Sequence, residues 1–203
     1  MAISTYNELL SALDNWLGTS DLTSRTPEFI ALAEADIWGR LRIRAMEQST
    51  DLGISSQRVA LPSGFLEARR IYIDGNPVTP LEYFPPMDFW RRYMSTDTAE
   101  PSAYTIEGGN LVFGPSPDAT YTGKLLYVAQ PSALSASLNG TFTSNPDAWL
   151  YGALVQAAPY LDNDERVPTW RAMYEAALIR IEKSDQRSRY SGGPLQVRSD
   201  SRA

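Results

Sequence analysis

Apolar residues recur at three- and four-residue spacing in four stretches of the chain, which is the pattern of amphipathic helices. Two of these stretches lie near the N-terminus and two near the C-terminus. Short polar segments separate the members of each pair, so each pair is expected to fold as two neighbouring helices. The four predicted helices comprise residues 6–17, 26–46, 146–161 and about 170–189.

The second predicted helix, Thr26 to about Met46, is expected to be the central element, with the other three helices packed around it. Thr26 is expected to be the N-cap, and Pro27 takes the first helical position. Gly39 inside the helix costs about 1 kcal/mol relative to alanine, so a neighbouring element is expected to pack closely there. The apolar stripe of this helix consists of Ile30, Ala33, Ile37 and Leu41.

Between the two helical pairs, alternating apolar residues and frequent turn residues indicate strands. Strand-like runs flank Asp74-Gly75 and the segment Glu107-Gly108-Gly109-Asn110, which predicts two hairpins. Pro77 and Pro80 confine the strand after the first turn to a sheet edge. Residues 85–94 begin with two prolines and carry three aromatic residues, so a short helix is expected there.

This order predicts an α+β fold, in which an α-helical bundle of two N-terminal and two C-terminal helices carries a mostly antiparallel β insertion. The helical bundle domain is assigned to residues 1–48 and 145–189, and the β-rich insertion to residues 49–144. Residues 131–144 have little periodicity and are expected to form a loop. Residues 190–203 combine glycines and a proline with few large apolar groups, which predicts a flexible C-terminal tail.

The composition argues against an enzyme. The chain of 203 residues contains neither cysteine nor histidine, which removes disulfides, zinc–thiolate sites and the commonest general base. Phosphate-binding-loop, serine-hydrolase and zinc-protease motifs are also missing from the sequence. We therefore expect no catalytic residues, no cofactor and no metal. No apolar run approaches the ~18 residues that a membrane span needs, so no membrane contact is expected.

The net charge of −6 argues against a generic nucleic-acid binder, but the charge is unevenly distributed. Residues 1–36 hold six acids and one base, whereas residues 180–203 hold six bases and three acids. This asymmetry suits head-to-tail contact between copies, or a basic tail that binds an acidic partner. Two solvated faces are the alternative interpretation.

Three stretches of the sequence, taken in order, resemble one known family. They are similar to the head-to-tail adaptor proteins, also called connectors or gatekeepers, of short-tailed bacteriophages. The likeness covers most of residues 5–193. The stretches are PEFIALAEADIWGRLRIRAME; VALPSGFLEARRIYIDGNPV followed by PSAYTIEGGNLVFGPSP; and the segment from PDAWLYGALVQAAPYL to RSRYSGG.

The resemblance implies a structural virion protein that is assembled in the host cytoplasm and located at the neck of the phage. It implies a homo-oligomeric ring, usually of twelve copies, that joins the portal protein to a tail or nozzle protein. In such families a C-terminal extension often threads onto the portal, and the β insertion faces tail components. Non-specific contact with the packaged DNA is a further candidate interaction.

Three groups of residues are candidates for these contacts. Arginines assigned to the second helix are candidates for a subunit interface or the DNA channel, although ordinary solvated helix-end arginines are an equal alternative. Residues of the C-terminal extension, which maps onto residues 185–203, are candidates for binding the portal, and aromatic residues of the insertion are candidates for contacting a tail component. The groups are Arg40, Arg42 and Arg44; Arg187, Arg189, Tyr190, Leu195, Val197, Arg198 and Arg202; and Phe89, Trp90 and Tyr93.

A carbohydrate-binding module of a phage tail is the alternative function, because aromatic side chains can form a sugar-binding surface. Trp90 is the best candidate for an exposed aromatic residue. The other four tryptophans occur in helical patterns and are expected in the core. They are Trp16, Trp38, Trp149 and Trp170.

Overall fold

In a computed structural model of the protein, the described residues fold into two compact units. The helical unit comprises the residues up to Ile43 together with those from Ser132 onward, and the β unit comprises Arg44–Pro131. Residues 44–48 thus lie in the β unit, although the prediction assigns them to the helical bundle. Residues 132–144 lie in the helical unit, although the prediction assigns them to the β-rich insertion. The described residues are 3–18, 20–75, 77–94, 97–135, 137–161 and 164–189.

Six α-helices and three 3₁₀ helices occur in the described residues. All of the α-helices except the third belong to the helical unit. The 3₁₀ helices are Ser20–Arg25, Arg44–Met46 and Ala158–Tyr160. The α-helices are α1 (Tyr6–Leu17), α2 (Thr26–Arg40), α3 (Pro86–Arg92), α4 (Gly140–Ser144), α5 (Pro146–Ala157) and α6 (Val167–Arg189).

The central helix of the helical unit is α5, which packs against α1, α2 and α6. Its Trp149 is fully buried and makes edge-on contacts with Trp38 and Phe142, each at 5.5 Å between ring centroids. Gly152 permits close packing, since a Cβ atom there would lie 3.1 Å from the Ala33 Cβ. The prediction that α2 is the central helix is therefore wrong.

The second helix is also shorter than predicted, because α2 ends at Arg40 and not near Met46. Leu41 is extended, and the Arg42 guanidinium donates hydrogen bonds of 2.7 Å to the carbonyls of Trp38 and Leu41. Arg42 thus satisfies backbone acceptors that a helix end leaves free. The chain then makes a 3₁₀ turn and enters the first strand.

The start of α2 and its glycine also differ from expectation. Arg25 occupies the N-cap position, and Thr26 is buried inside the first turn, where its hydroxyl donates to the Thr23 carbonyl at 2.9 Å. Gly39 is exposed, and a Cβ atom placed on it would meet nothing within 4 Å. The close packing predicted at Gly39 is therefore absent from the described structure.

The β unit consists of two four-stranded sheets with the orders β1-β8-β3-β4 and β2-β7-β6-β5. All pairings are antiparallel except that of β5 with β6. Apolar residues from both sheets share one core, which includes Ile54, Ile71, Phe113 and Leu125. The strands are β1 (Glu47–Ile54), β2 (Arg58–Ala60), β3 (Phe65–Ile73), β4 (Thr79–Pro80), β5 (Glu82–Tyr83), β6 (Ala103–Glu107), β7 (Asn110–Gly114) and β8 (Tyr121–Ala129).

Several predicted features of this unit are confirmed. The strands β3 and β4 form one hairpin, and β4 lies at a sheet edge, as Pro80 requires. The strands β6 and β7 form the other hairpin, in which Gly108 and Gly109 have φ values of 56° and 76°. These positive values are those that glycine adopts readily. The short helix within residues 85–94 is α3.

Candidate functional site

One side of α2 is exposed to solvent and almost free of charge. Leu32 is 49% exposed, and Glu28, Ala31, Ala35 and Gly39 beside it are exposed as well. The outer side of a solvated helix usually carries charged and polar residues. A continuous apolar strip on a helix instead indicates a contact surface. We name these five residues the α2 face.

The outer side of α6 is apolar in its first part and basic in its second. Met173 and Ile179 are 44% and 48% exposed, and alanines lie beside them. Basic side chains follow on the same side, as the helical spacing requires. We name this surface the α6 face, and its members are Ala172, Met173, Ala176, Ile179, Arg180, Lys183 and Arg187.

The last two turns of α6 extend beyond the core of the helical unit. Ile181 is the last buried residue, and the residues from 182 to 189 are exposed or half-buried. Arg189 pairs with Asp185, and Arg180 pairs with Asp147. Within the described residues, Lys183 and Arg187 have no ion-pair partner.

The predicted trio of arginines does not share one helix. Arg40, on α2, makes two hydrogen bonds to the Glu175 carboxylate on α6, and it lies 3.5 Å from Asp36. Arg42 binds the carbonyls at the end of α2, and Arg44 lies in the β unit. The donors of Arg40 and Arg42 therefore stabilise their own chain.

The contact between α2 and α6 lowers the pKa of the Glu175 carboxyl and raises the pKa of the Tyr174 hydroxyl. The hydrogen bonds from Arg40 hold the pKa of the Glu175 carboxyl below its usual value, and the Arg40 pKa is raised by the same bonds. Tyr174 donates a hydrogen bond of 2.6 Å to Asp36, and burial, followed by this bond, raises the pKa of the Tyr174 hydroxyl. The cluster is a fixed link between the two helices.

The aromatic residues singled out in the β unit differ in their exposure. Phe89 is fully buried, so it cannot touch a tail component while the unit is folded. Trp90 and Tyr93 are half-buried, and the Trp90 indole N–H donates to Glu107 at 3.3 Å. A sugar-binding platform needs an open ring face, and Trp90 already packs edge-on against Phe89. The more exposed neighbour is Met87, at 71%.

Comparison with known protein families identifies the chain. The family model of the SU10 adaptor protein matches residues 4–198, which is nearly the whole sequence. The chain belongs to the SU10 adaptor protein family. This is a family of phage head-to-tail adaptors, so the resemblance noted in the sequence is confirmed at that level. None of the curated proteins compared with the chain matches it.

The family consists of structural phage adaptors, which are not a class of enzyme. In the described part of the chain, no group of three or more acidic residues could hold a metal ion. No described helix is both long enough and apolar enough to cross a membrane.

The remaining residues predicted for function lie partly outside the described structure of the adaptor. Arg187 and Arg189 belong to α6 and not to a tail. Tyr190, Leu195, Val197, Arg198 and Arg202 lie outside the described residues. Of the tryptophans expected in the core of the adaptor, Trp16 is instead 42% exposed, whereas Trp38, Trp149 and Trp170 are buried.

Glu34 is a buried carboxyl on α2 that binds the backbone at Leu134. It is 7% exposed, and the backbone N–H of Leu134 donates to its Oε1 at 2.9 Å. Burial raises the pKa of the Glu34 carboxyl, and the hydrogen bond from Leu134 only partly opposes this. The charged form is thus disfavoured in the folded state.

We expect Glu34→Gln to raise the melting temperature of the adaptor at pH 7. Glutamine keeps a carbonyl acceptor for Leu134 but carries no charge to desolvate. Because the folded pKa of Glu34 lies above its unfolded value, its contribution to stability is present below the unfolded pKa and is lost as the pH rises through the folded pKa. The advantage of the variant should therefore shrink on acidification towards the ordinary glutamate pKa.

Thermal melts of both proteins across this pH range measure the difference. Glu175→Gln is the matched control, because the pKa of Glu175 is lowered by Arg40. That variant should lose stability at pH 7, and its deficit should shrink as the pH falls. Equal melting temperatures for Glu34→Gln and the parent protein at pH 7 and at acidic pH would show that burial of Glu34 costs nothing.

Proposed function

We propose that the protein forms a ring that joins the portal of a phage head to the tail. Its four long helices act as one bundle and form the body of the ring, at the neck of the virion. The proposed copy number is twelve, as in the adaptors that the sequence resembles, and assembly takes place in the host cytoplasm. The exposed apolar side chains of the α2 and α6 faces carry this proposal, because an isolated subunit leaves Leu32, Met173 and Ile179 in water.

The portal is proposed to bind the basic end of α6 and the residues that follow it. Lys183 and Arg187 have no ion-pair partner among the described residues, and they lie on the part of α6 that extends beyond the core. An acidic surface on the portal would pair with them and with the predicted tail arginines. Non-specific contact with packaged DNA would also depend on such basic groups, and not on Arg40, whose donors are occupied by Glu175.

The β unit is proposed to face the tail or nozzle protein. Its exposed apolar side chains include Tyr83, Met87 and Met94, which are 50%, 71% and 79% exposed. Methionine adapts its shape to an irregular partner surface, which suits a contact between different proteins. The half-buried Trp90 and Tyr93 border this region, and Phe89 supports it from inside.

Binding of the purified protein to purified portal tests the proposal, with the mass of the complex measured by sedimentation. The parent protein should add to the portal as a ring. The double variant Lys183→Glu with Arg187→Glu, and a chain lacking residues 190–203, should each bind more weakly without a change in melting temperature.

Arg171→Glu is the matched control, because Arg171 is an exposed base near the start of α6, far from its C-terminal end. It should bind like the parent protein. A parent protein that adds to neither the portal nor portal-bearing heads would exclude the proposed function. If the basic-end variants bind as well as Arg171→Glu, the portal contacts another surface.

A further inference from the structure

The α2 face and the α6 face have matching patterns when they are read in opposite directions. Residues of the α2 face follow one another at intervals of four, three and four positions, and so do residues of the α6 face. Both strips cover about three helical turns. We propose that, in the ring inferred under the proposed function, the α2 face of one copy packs antiparallel against the α6 face of the next copy. The four pairs are Glu28 with Lys183, Leu32 with Ile179, Ala35 with Ala176, and Gly39 with Ala172.

The chemistry of each pair agrees with this register. Glycine and alanine meet alanines at one end, where the helix backbones can approach closely. In the middle, Leu32 covers Ile179, and both are about half exposed in the single subunit. Burying them together removes two large, half-exposed apolar side chains from water.

The charges select the antiparallel direction. Within the described residues, neither Glu28 nor Lys183 has an ion-pair partner, and the antiparallel register places them opposite each other. A parallel arrangement of the same strips would place Glu28 beside Ala172 and Lys183 beside Gly39. Both charges would then lose water against apolar neighbours without gaining a partner.

The contact is heterologous, because it joins two different surfaces. An open chain of copies therefore keeps one free α2 face at one end and one free α6 face at the other, and a ring forms when these two meet. One helix pair buries less than the ~800 Å² per partner of a standard stable interface. The contact between two free subunits is accordingly weak, and closure of the ring strengthens it because each copy is then held on both sides.

Disulfide trapping tests the register, and the chain suits it because it has no cysteine. Two single variants, Ala35→Cys and Ala176→Cys, are mixed under oxidising conditions, with a size tag on one of them. A disulfide forms only where the two Cα atoms come within ~7 Å. We expect a mixed dimer to accumulate. The control replaces the second variant by Ala172→Cys, displaced by about 6 Å along the helix, and the mixed dimer should be lost.

Charge exchange gives a second readout that does not depend on apolar packing. Glu28→Lys in the Ala35→Cys chain should slow formation of the mixed dimer, because it places two bases together. Adding Lys183→Glu to the Ala176→Cys chain should restore the rate. Neither substitution lies in the core, so the folded subunit is retained and a loss of trapping reports the contact itself.

The outcomes separate this inference from the proposed function. Rings of the parent protein on the portal without a mixed dimer between positions 35 and 176 would overturn the inference and leave the ring function standing. Preferential trapping of Ala35→Cys with itself, or of Ala176→Cys with itself, would also overturn it. Failure of the parent protein to form any ring on the portal would contradict the proposed function, while the trapping result would still decide whether the two faces meet.

Discussion

Ile37→Asp is expected to unfold the helical unit. The Ile37 side chain is 0% exposed on the inner side of α2, so the variant buries a carboxylate without a partner and loses apolar packing. Such a change costs about 3–5 kcal/mol, a large fraction of the total stability of a typical domain. Far-UV circular dichroism during thermal and urea unfolding measures the loss of helix.

Leu32→Asp is the matched control, since it makes a similar substitution on the exposed side of the same helix. Leu32 is 49% exposed, so the free energy of unfolding should change by no more than about 0.5 kcal/mol. The same variant should weaken contact between copies, because Leu32 lies in the α2 face. If Ile37→Asp unfolds like Leu32→Asp, the inner side of α2 is not a core surface.

The hairpins and the short helix of the β unit were predictable because local chemistry determines them. Gly108 and Gly109 supply the positive φ values of a tight turn, and Pro80 can take part only in an edge strand. The helix α5 begins at Pro146 and gives way to a 3₁₀ turn before Pro159, as a proline inside a helical pattern requires.

The end of α2 was not predictable, because hydrophobic spacing reports burial and not backbone conformation. Leu41, Ile43 and Met46 are all buried, so the apolar pattern continues past the true end at Arg40. The extended backbone of Leu41 and the hydrogen bonds of Arg42 to backbone carbonyls show where the helix stops. Arg40 therefore belongs to α2, whereas Arg42 follows its end and Arg44 begins the next 3₁₀ turn.

Two elements escaped prediction because their patterns are weak. The first strand, β1, lies at a sheet edge, and most of its residues are exposed or half-buried, so little alternation is visible in its sequence. The helix α4 has five residues, which is too short for a periodic signal. Its cap, Asn139, which accepts a hydrogen bond of 2.8 Å from the Phe142 N–H, is the one local indication of it.

The candidate assembly faces were hidden for a different reason. The exposed Ala172, Ala176 and Ile179 recur at intervals of four and three positions. The buried Trp170, Tyr174 and Ala177 recur at the same intervals, so sequence alone does not distinguish a core strip from a contact strip. The fold distinguishes the two strips, because α5 packs against one side of α6 and leaves Met173 and Ile179 exposed on the other. Charge counting could locate the basic end of α6 but not the apolar surface beside it.

Phe89→Ala is expected to destabilise the β unit by about 3–5 kcal/mol, the usual cost of removing a buried phenylalanine. Phe89 is 0% exposed and packs against Trp90 and Tyr93, at 5.4 and 5.1 Å between ring centroids. It also lies so close to Gly114 that a Cβ atom there would be 2.9 Å from its ring. The variant leaves a cavity between α3 and the sheet, which urea unfolding monitored by tryptophan fluorescence would detect.

Met87→Ala on the same helix separates a packing role from a contact role. Met87 is 71% exposed, so its loss should leave the unfolding midpoint unchanged but weaken binding to a tail component. Phe89→Ala should instead lower the unfolding midpoint. At a temperature where this variant is still folded, its binding to a tail component should be unchanged, because the Phe89 ring is buried in the parent protein. Normal stability of Phe89→Ala together with lost tail binding would mean that the phenylalanine ring itself touches the partner, and that α3 opens when the tail binds.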